Sequence, residues 1–328
     1  MKFSQIVGNR LLIDRLKDAV MTQNPFHAYI FEGLNGVGKR LAANTFAQAL
    51  LCSQPVDGEP CGVCNNCKKM ENENHSDYHY ITSDGKSVKD QQIEEMQRLA
   101  RKKPFDGERS IFVIDQAATI TERAQNRLLK TLEEPDGKSV VILLVENMDA
   151  IVPTIVSRCA VFRFKPIPKE VIYHYLISDL GASEDQAALA STFAYGSMGK
   201  GKQLLFDEAF QERRKRSIRC AEYFIEKDPL AYFSGEIKDE INTKEEAIEF
   251  LDLMEFWFRD VLLLLQGAPK TLFVNQDYIE KLKKMAQADE SRGKRFCKII
   301  EKIEETKADV ILNVRTQYAL KNLFLEMQ

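Results

Sequence analysis

The sequence carries almost no net charge. Its 46 basic residues stand against 49 acidic ones, a formal net charge of −3, so any nucleic-acid contact needs a local patch rather than a global field. Long apolar runs are absent as well: Val140 to Val145 and Val261 to Leu265 are far too short to cross a bilayer. The opening Met1-Lys-Phe-Ser-Gln5 has no apolar core of signal-peptide type, so a cytoplasmic protein without a membrane partner is expected. Cysteine is too sparse for the disulfide framework of a small secreted domain, with seven in 328 residues. A chain of this length, 44% hydrophobic, can bury full cores in two or three domains.

Two further absences are single residues, and both bear on one nucleotide site. Gly33-Leu-Asn-Gly-Val-Gly-Lys-Arg40 follows a short apolar run, Ala28 to Phe31, and leads into a helical pattern from Leu41 to Leu51. Strand, glycine loop and helix form the context of a phosphate-binding P-loop, with Gly33, Gly36 and Gly38 letting backbone N–H groups curl around a triphosphate and Lys39 reaching its outer phosphates. A hydroxyl should follow the lysine to ligate magnesium, and Arg40 has none. Ser110 to Asp115 reads as a buried strand ending in the acid that positions magnesium, but the neighbouring place of a water-orienting Glu holds Gln116, which cannot accept a proton. The spacing therefore predicts a degenerate nucleotide site built from Gly33, Gly36, Gly38, Lys39 and Asp115, with ATP or ADP binding left open.

The four clustered cysteines make the strongest chemical signal. Cys52, Cys61, Cys64 and Cys67 follow the spacing C-x8-C-x2-C-x2-C in a turn-rich segment containing Gly58, Pro60 and Gly62. Four thiolates can close a tetrahedral shell around zinc with no open position, which predicts a structural metal in a module spanning 52–67.

Along the chain, Leu11, Leu12, Leu16 and Val20 recur at helical spacing, Tyr78 to Thr82 reads as a strand, and 88–102 as a charged helix. Leu128, Leu129 and Leu132 mark a helix over 124–134 that Pro135 should stop, and 140–145 and 160–164 read as further strands. Such alternation predicts an α/β domain with a parallel sheet covered on both faces over 1–165. Pro166 and Pro168 mark a linker, short helices over 166–205 fit a small helical lid, and 206–328 shows no convincing strand. Thr243 and Glu246 form a capping box there, and the basic run Arg213 to Arg216 with Arg219 reads as a solvated helix face.

The P-loop, the cysteine insert, Asn126-Arg-Leu-Leu-Lys-Thr-Leu-Glu-Glu-Pro135 and Ser157-Arg-Cys159 together resemble the bacterial clamp-loader ATPase family of the AAA+ class, which serves DNA polymerase III. The resemblance is dense over 1–165 and thinner beyond, where Asn313 to Leu320 is similar to the family's collar helix but has Arg315 where a second Asn is usual. It implies a RecA-like nucleotide domain, a helical lid and an all-α collar through which five subunits form an open ring. The partners it implies are gamma/tau and delta subunits, the sliding clamp, and primer-template DNA met through the assembled complex. It also implies that Arg158 is an arginine finger acting in a neighbour's site, and that the cysteines form the family's zinc module.

Lys200 is a weak match to the lid arginine that senses nucleotide, and Val145 and Glu146 stand where a sensor threonine is expected. With Arg40 and Gln116, these departures point to the non-hydrolysing branch of the family. Two rivals stay open. An active gamma/tau-type motor should turn over ATP alone and faster with primed DNA. A zinc-dependent nucleic-acid module would need charge at 52–67, where only the adjacent Lys68 and Lys69 offer it.

Overall fold

The computed structural model describes residues 1–83, 87–134, 138–226, 235, 241, 243–286 and 292–326. Pro135, expected to end a helix, lies outside the described residues. The chain divides into two compact units, Met1–Ile172 with Ala194–Gly201, and Tyr173–Phe193 with Lys202–Gln328.

The first unit is built on five parallel strands: β1 (Ala28–Glu32), β2 (Tyr78–Ile81), β3 (Ser110–Ile114), β4 (Ser139–Val145) and β5 (Ala160–Arg163), in the order β2-β3-β4-β1-β5. The apolar runs become central strands because side chains alternate between two covered faces. On one face Tyr29, Phe31, Ile142 and Leu144 pack with Leu16 of helix α1 (Arg10–Met21) and Phe46 of helix α2 (Lys39–Leu51). On the other, Ala28, Ile30, Val141 and Leu143 meet Ile93 and Met96 of a helix over Asp90–Ala100 and Leu128 of one over Glu122–Glu133. The buried stripe of α1 is Ile13, Leu16 and Val20, while Leu11, expected in that stripe, is 81% exposed. Thr121 caps the Glu122–Glu133 helix, accepting a hydrogen bond from the Ala124 N–H.

After β5 the described residues form helices and turns and no strand. In the second unit the Lys244–Leu265 helix starts at the expected capping box, Thr243 accepting from the Glu246 N–H and the Glu246 carboxylate from the Thr243 N–H. Its buried Trp257, Phe258 and Val261 pack with Phe296, Leu320 and Phe324. Two buried polar groups hold the turn that follows. Asp260 accepts from the N–H groups of Val274 and Asn275 at 2.9 and 2.7 Å. Arg214 donates twice to Asp277, at 2.8 and 2.6 Å, and to the Asn275 side chain. The basic run is thus not a solvated face throughout: Arg214 is buried, and Arg213 pairs with Glu249.

Candidate functional site

The loop between β1 and α2 turns through Gly36 and Gly38, whose φ angles of 76° and 103° suit glycine. A methyl on Gly36 would lie 2.3 Å from Ser197 Oγ, and the Gly199 N–H donates to the Gly36 carbonyl at 2.9 Å. Lys39 is buried, and its ammonium donates to the carbonyls of Gly33 and Leu34 in its own loop. Burial lowers its pKa, against the opposing pull of Glu146 and Asp115.

The residues expected on the magnesium side of the loop contact one another. The Arg40 guanidinium lies 4.5 Å above the centre of the Tyr80 ring, a cation–π contact, and the Tyr80 hydroxyl donates to Asp115. The other Asp115 oxygen accepts the Gln116 N–H at 2.8 Å, and the Gln116 side chain meets Ser83 Oγ at 2.6 Å. Burial, then the Asp115 hydrogen bond and charge, raise the Tyr80 pKa, so the phenol stays a donor. The acid foreseen as a metal-positioning group is therefore tied up by two donors. Sequence reasoning missed Tyr80. The available signal was its place one strand over, since Tyr80 pairs with Val113, two residues before Asp115.

The structure brings Cys52, Cys61, Cys64 and Cys67 together with all four sulfurs within 4.8 Å of one another. Cys52 to Cys64 and Cys61 to Cys67 are each 3.9 Å, close to the ~3.8 Å edge of a tetrahedron with zinc–sulfur bonds of about 2.3 Å. Backbone N–H groups of Cys61, Cys64 and Cys67 point at the sulfurs of Cys52, Cys61 and Cys64, at 3.3, 3.4 and 3.4 Å. Burial works to raise the Cys64 thiol, but donors led by the Cys67 N–H bring it down to about 6. N–H groups of Val63 and Cys64 lower Cys61, while burial raises Cys52 and Cys67. Donor type, number and spacing all fit zinc, which would cross-link the end of α2 to helix α3 (Asn65–Glu71). His75, Asp77 and Asp106 form a second possible group, but Asp77 already accepts the N–H groups of Phe105, Asp106 and Gly107, and Lys69 pairs with Asp106. That cluster is a loop anchor.

Arg158 lies at the other end of the sheet. Ala160 pairs with Tyr29, so Arg158 precedes the start of β5, whereas Gly33 follows the end of β1. Four strand residues separate those levels, at least ~13 Å at about 3.3 Å each, too far for Arg158 to reach its own loop. Its guanidinium pairs with Glu133 at 2.9 Å and donates to the Thr154 carbonyl at 2.9 Å. Lys200 lies over the Tyr195 ring, 4.8 Å from its centre.

Over 306 residues the chain is 30% identical to DNA polymerase III subunit delta-prime of Bacillus subtilis, spanning 92% of this chain and 91% of that protein. The chain belongs to the delta-prime family of DNA polymerase III subunits. A family model described as "DNA polymerase III, delta subunit" matches residues 8–168, the part containing the loop, the cysteines and Arg158. Similarity extends to DNA polymerase III subunit tau of the same organism, 28% identical over 85% of this chain but only 54% of that protein. A solved gamma subunit-related protein from Thermotoga maritima, 17% identical, covers 96% of this chain and 98% of its own at a TM-score of 0.47. No helix among the described residues is long and apolar enough to cross a membrane.

Proposed function

We propose that this delta-prime-type chain is a non-hydrolysing clamp-loader subunit. It completes the ATP site of an adjacent gamma/tau subunit with Arg158, in a five-membered ring that also contains delta. The ring places the sliding clamp on primer-template DNA, which this chain meets through the assembly. Residues 1–165 act as the AAA+ domain, 166–205 as the lid and 206–328 as the collar, and the cysteines hold one structural zinc.

The observation that carries the reading is a contrast within one sheet. At the loop end Asp115 accepts from Tyr80 and from the Gln116 N–H while Arg40 lies over the Tyr80 ring, which supports a site without magnesium chemistry. At the far end Arg158 offers a permanent planar cation that has no use for its own loop. A guanidinium suits the charge that gathers on a transferring phosphoryl group, and such fingers are worth about 10³ to 10⁵ in rate in other NTPases.

The test compares DNA-stimulated ATPase and clamp-loading rates in reconstituted complexes containing wild-type or Arg158→Ala protein at matched assembly. A partial loss in bulk ATPase and a larger loss in loading are expected, because sites not touching this chain keep turning over. Arg158→Lys should rescue poorly, since the ammonium lacks the planar fork. Equal rates would leave only a scaffold. The similarity to tau favours one rival, an active motor, and that rival requires turnover by the purified chain alone.

A further inference from the structure

Arg158 does not project freely from the start of β5. One nitrogen donates to the Thr154 carbonyl and another pairs with Glu133, so the guanidinium is folded back onto its own chain. Glu133 is the last residue of its helix and Glu134 the C-cap, so two carboxylates sit where the helix dipole is already negative. Arg158 offsets that clash.

A replacement stands one turn earlier. Lys130 makes no ion pair among the described residues, and it lies at i,i+3 to Glu133 on the same helix face. A cavity of about 310 Å³, lined by Arg101, Lys130 and Glu133 among others, gives the lysine room to turn toward the carboxylate.

We propose that Glu133 is a positioning residue that latches Arg158 in a resting pose, and that Lys130 takes over Glu133 when the arginine swings to a neighbouring phosphate. The latch rests on the trans-acting role of Arg158 proposed above. Both partners are partly exposed, at 36% and 47%, so the hold is weak and readily exchanged.

The test uses complexes reconstituted with the neighbouring ATPase subunits. Glu133→Gln should raise DNA-stimulated turnover about 1.5- to 5-fold, the range expected for freeing an exposed ion pair. Lys130→Met should lower turnover by a similar factor by strengthening the latch. Both effects should vanish in an Arg158→Ala background, which a merely structural role for either residue would not produce. Unchanged or reduced turnover in Glu133→Gln overturns the latch, as does a change that persists without Arg158. If Arg158→Ala itself leaves turnover unchanged, the trans-acting role fails and takes the latch with it.

Discussion

At the residue scale, the contacts of Asp115 set how hard the loop is to repair. Arg40→Thr with Gln116→Glu returns a hydroxyl and a second acid, yet the Tyr80 hydroxyl still occupies Asp115. The double variant should remain without steady ATP turnover in a phosphate-release assay. Turnover by the unmodified protein, abolished by Lys39→Ala, would refute that account of the site. Gly36 is equally constrained, with its left-handed φ and Ser197 in the path of a side chain. Gly36→Ala should cost about 1–3 kcal/mol of stability, read as a lower urea midpoint. His79 supplies a pH dependence. Burial depresses its pKa, against Asp77 and Glu95, and its ring stacks on Phe112 at 4.8 Å. A depressed folded value means the unfolded chain binds the proton more readily, so the contribution is present above pH ~6.5 and is lost as pH falls through the folded value. His75, depressed by burial as well, adds to the same loss. His79→Phe should therefore narrow the drop in urea midpoint between pH 7.5 and 5.5, and an undiminished drop would assign it elsewhere.

At the element scale, the cysteine module is held by its sulfurs and by hydrogen bonds and ion pairs, Glu59 accepting from the Phe3 N–H at 2.7 Å and pairing with Lys17 at 2.8 Å. The Gln48 amide donates to the Cys67 carbonyl at 3.2 Å and Asn66 to the Leu51 carbonyl at 2.8 Å. Cys64 also caps α3. Binding at such zinc sites is worth on the order of 10 kcal/mol in small domains. A strong chelator should thus make 52–71 protease-sensitive while the sheet stays folded, and metal analysis should find about one zinc per chain. Full zinc content in a Cys61→Ser, Cys64→Ser variant would remove the assignment.

The same scale explains what could be read from the sequence. Strands β1, β3 and β4 were legible because strands covered on both faces need continuous apolar runs, and the cysteine cluster because its ligands are local. The buried Arg214 was not. Its partners Asn275 and Asp277 come from a turn far along the chain, and a row of cations on one helix reads as surface until that turn is in place. Tyr80 escaped for a similar reason, since its role depends on strand register rather than on its own neighbours. The segment around Ser197 fell within the expected helical lid, and nothing local revealed that it packs on Gly36.

At the scale of the whole molecule, the first unit is assembled from two stretches, because Ala194–Gly201 returns to it after Phe193. A fragment ending at 172 lacks the Gly199 N–H that holds the Gly36 carbonyl and the Gly196 carbonyl that accepts from the Ile167 N–H. Amide hydrogen exchange in 33–40 should be faster in that fragment than in the full chain. Equal protection would show that the returning segment contributes nothing to loop rigidity.

The opposed placement of the loop and Arg158 also gives the proposed role a direction. Subunits that join head to tail, each offering a cation to the next one's phosphate, obey the logic of a growing polymer, where every unit needs one donor end and one acceptor end. This chain keeps Arg158 at one end of its sheet, while at the other end Arg40 lies on Tyr80 and Lys39 donates to its own loop. If Arg158 serves a neighbour as proposed, the chain is in polymer terms a monofunctional monomer, an end group that can be added once and after which the series stops.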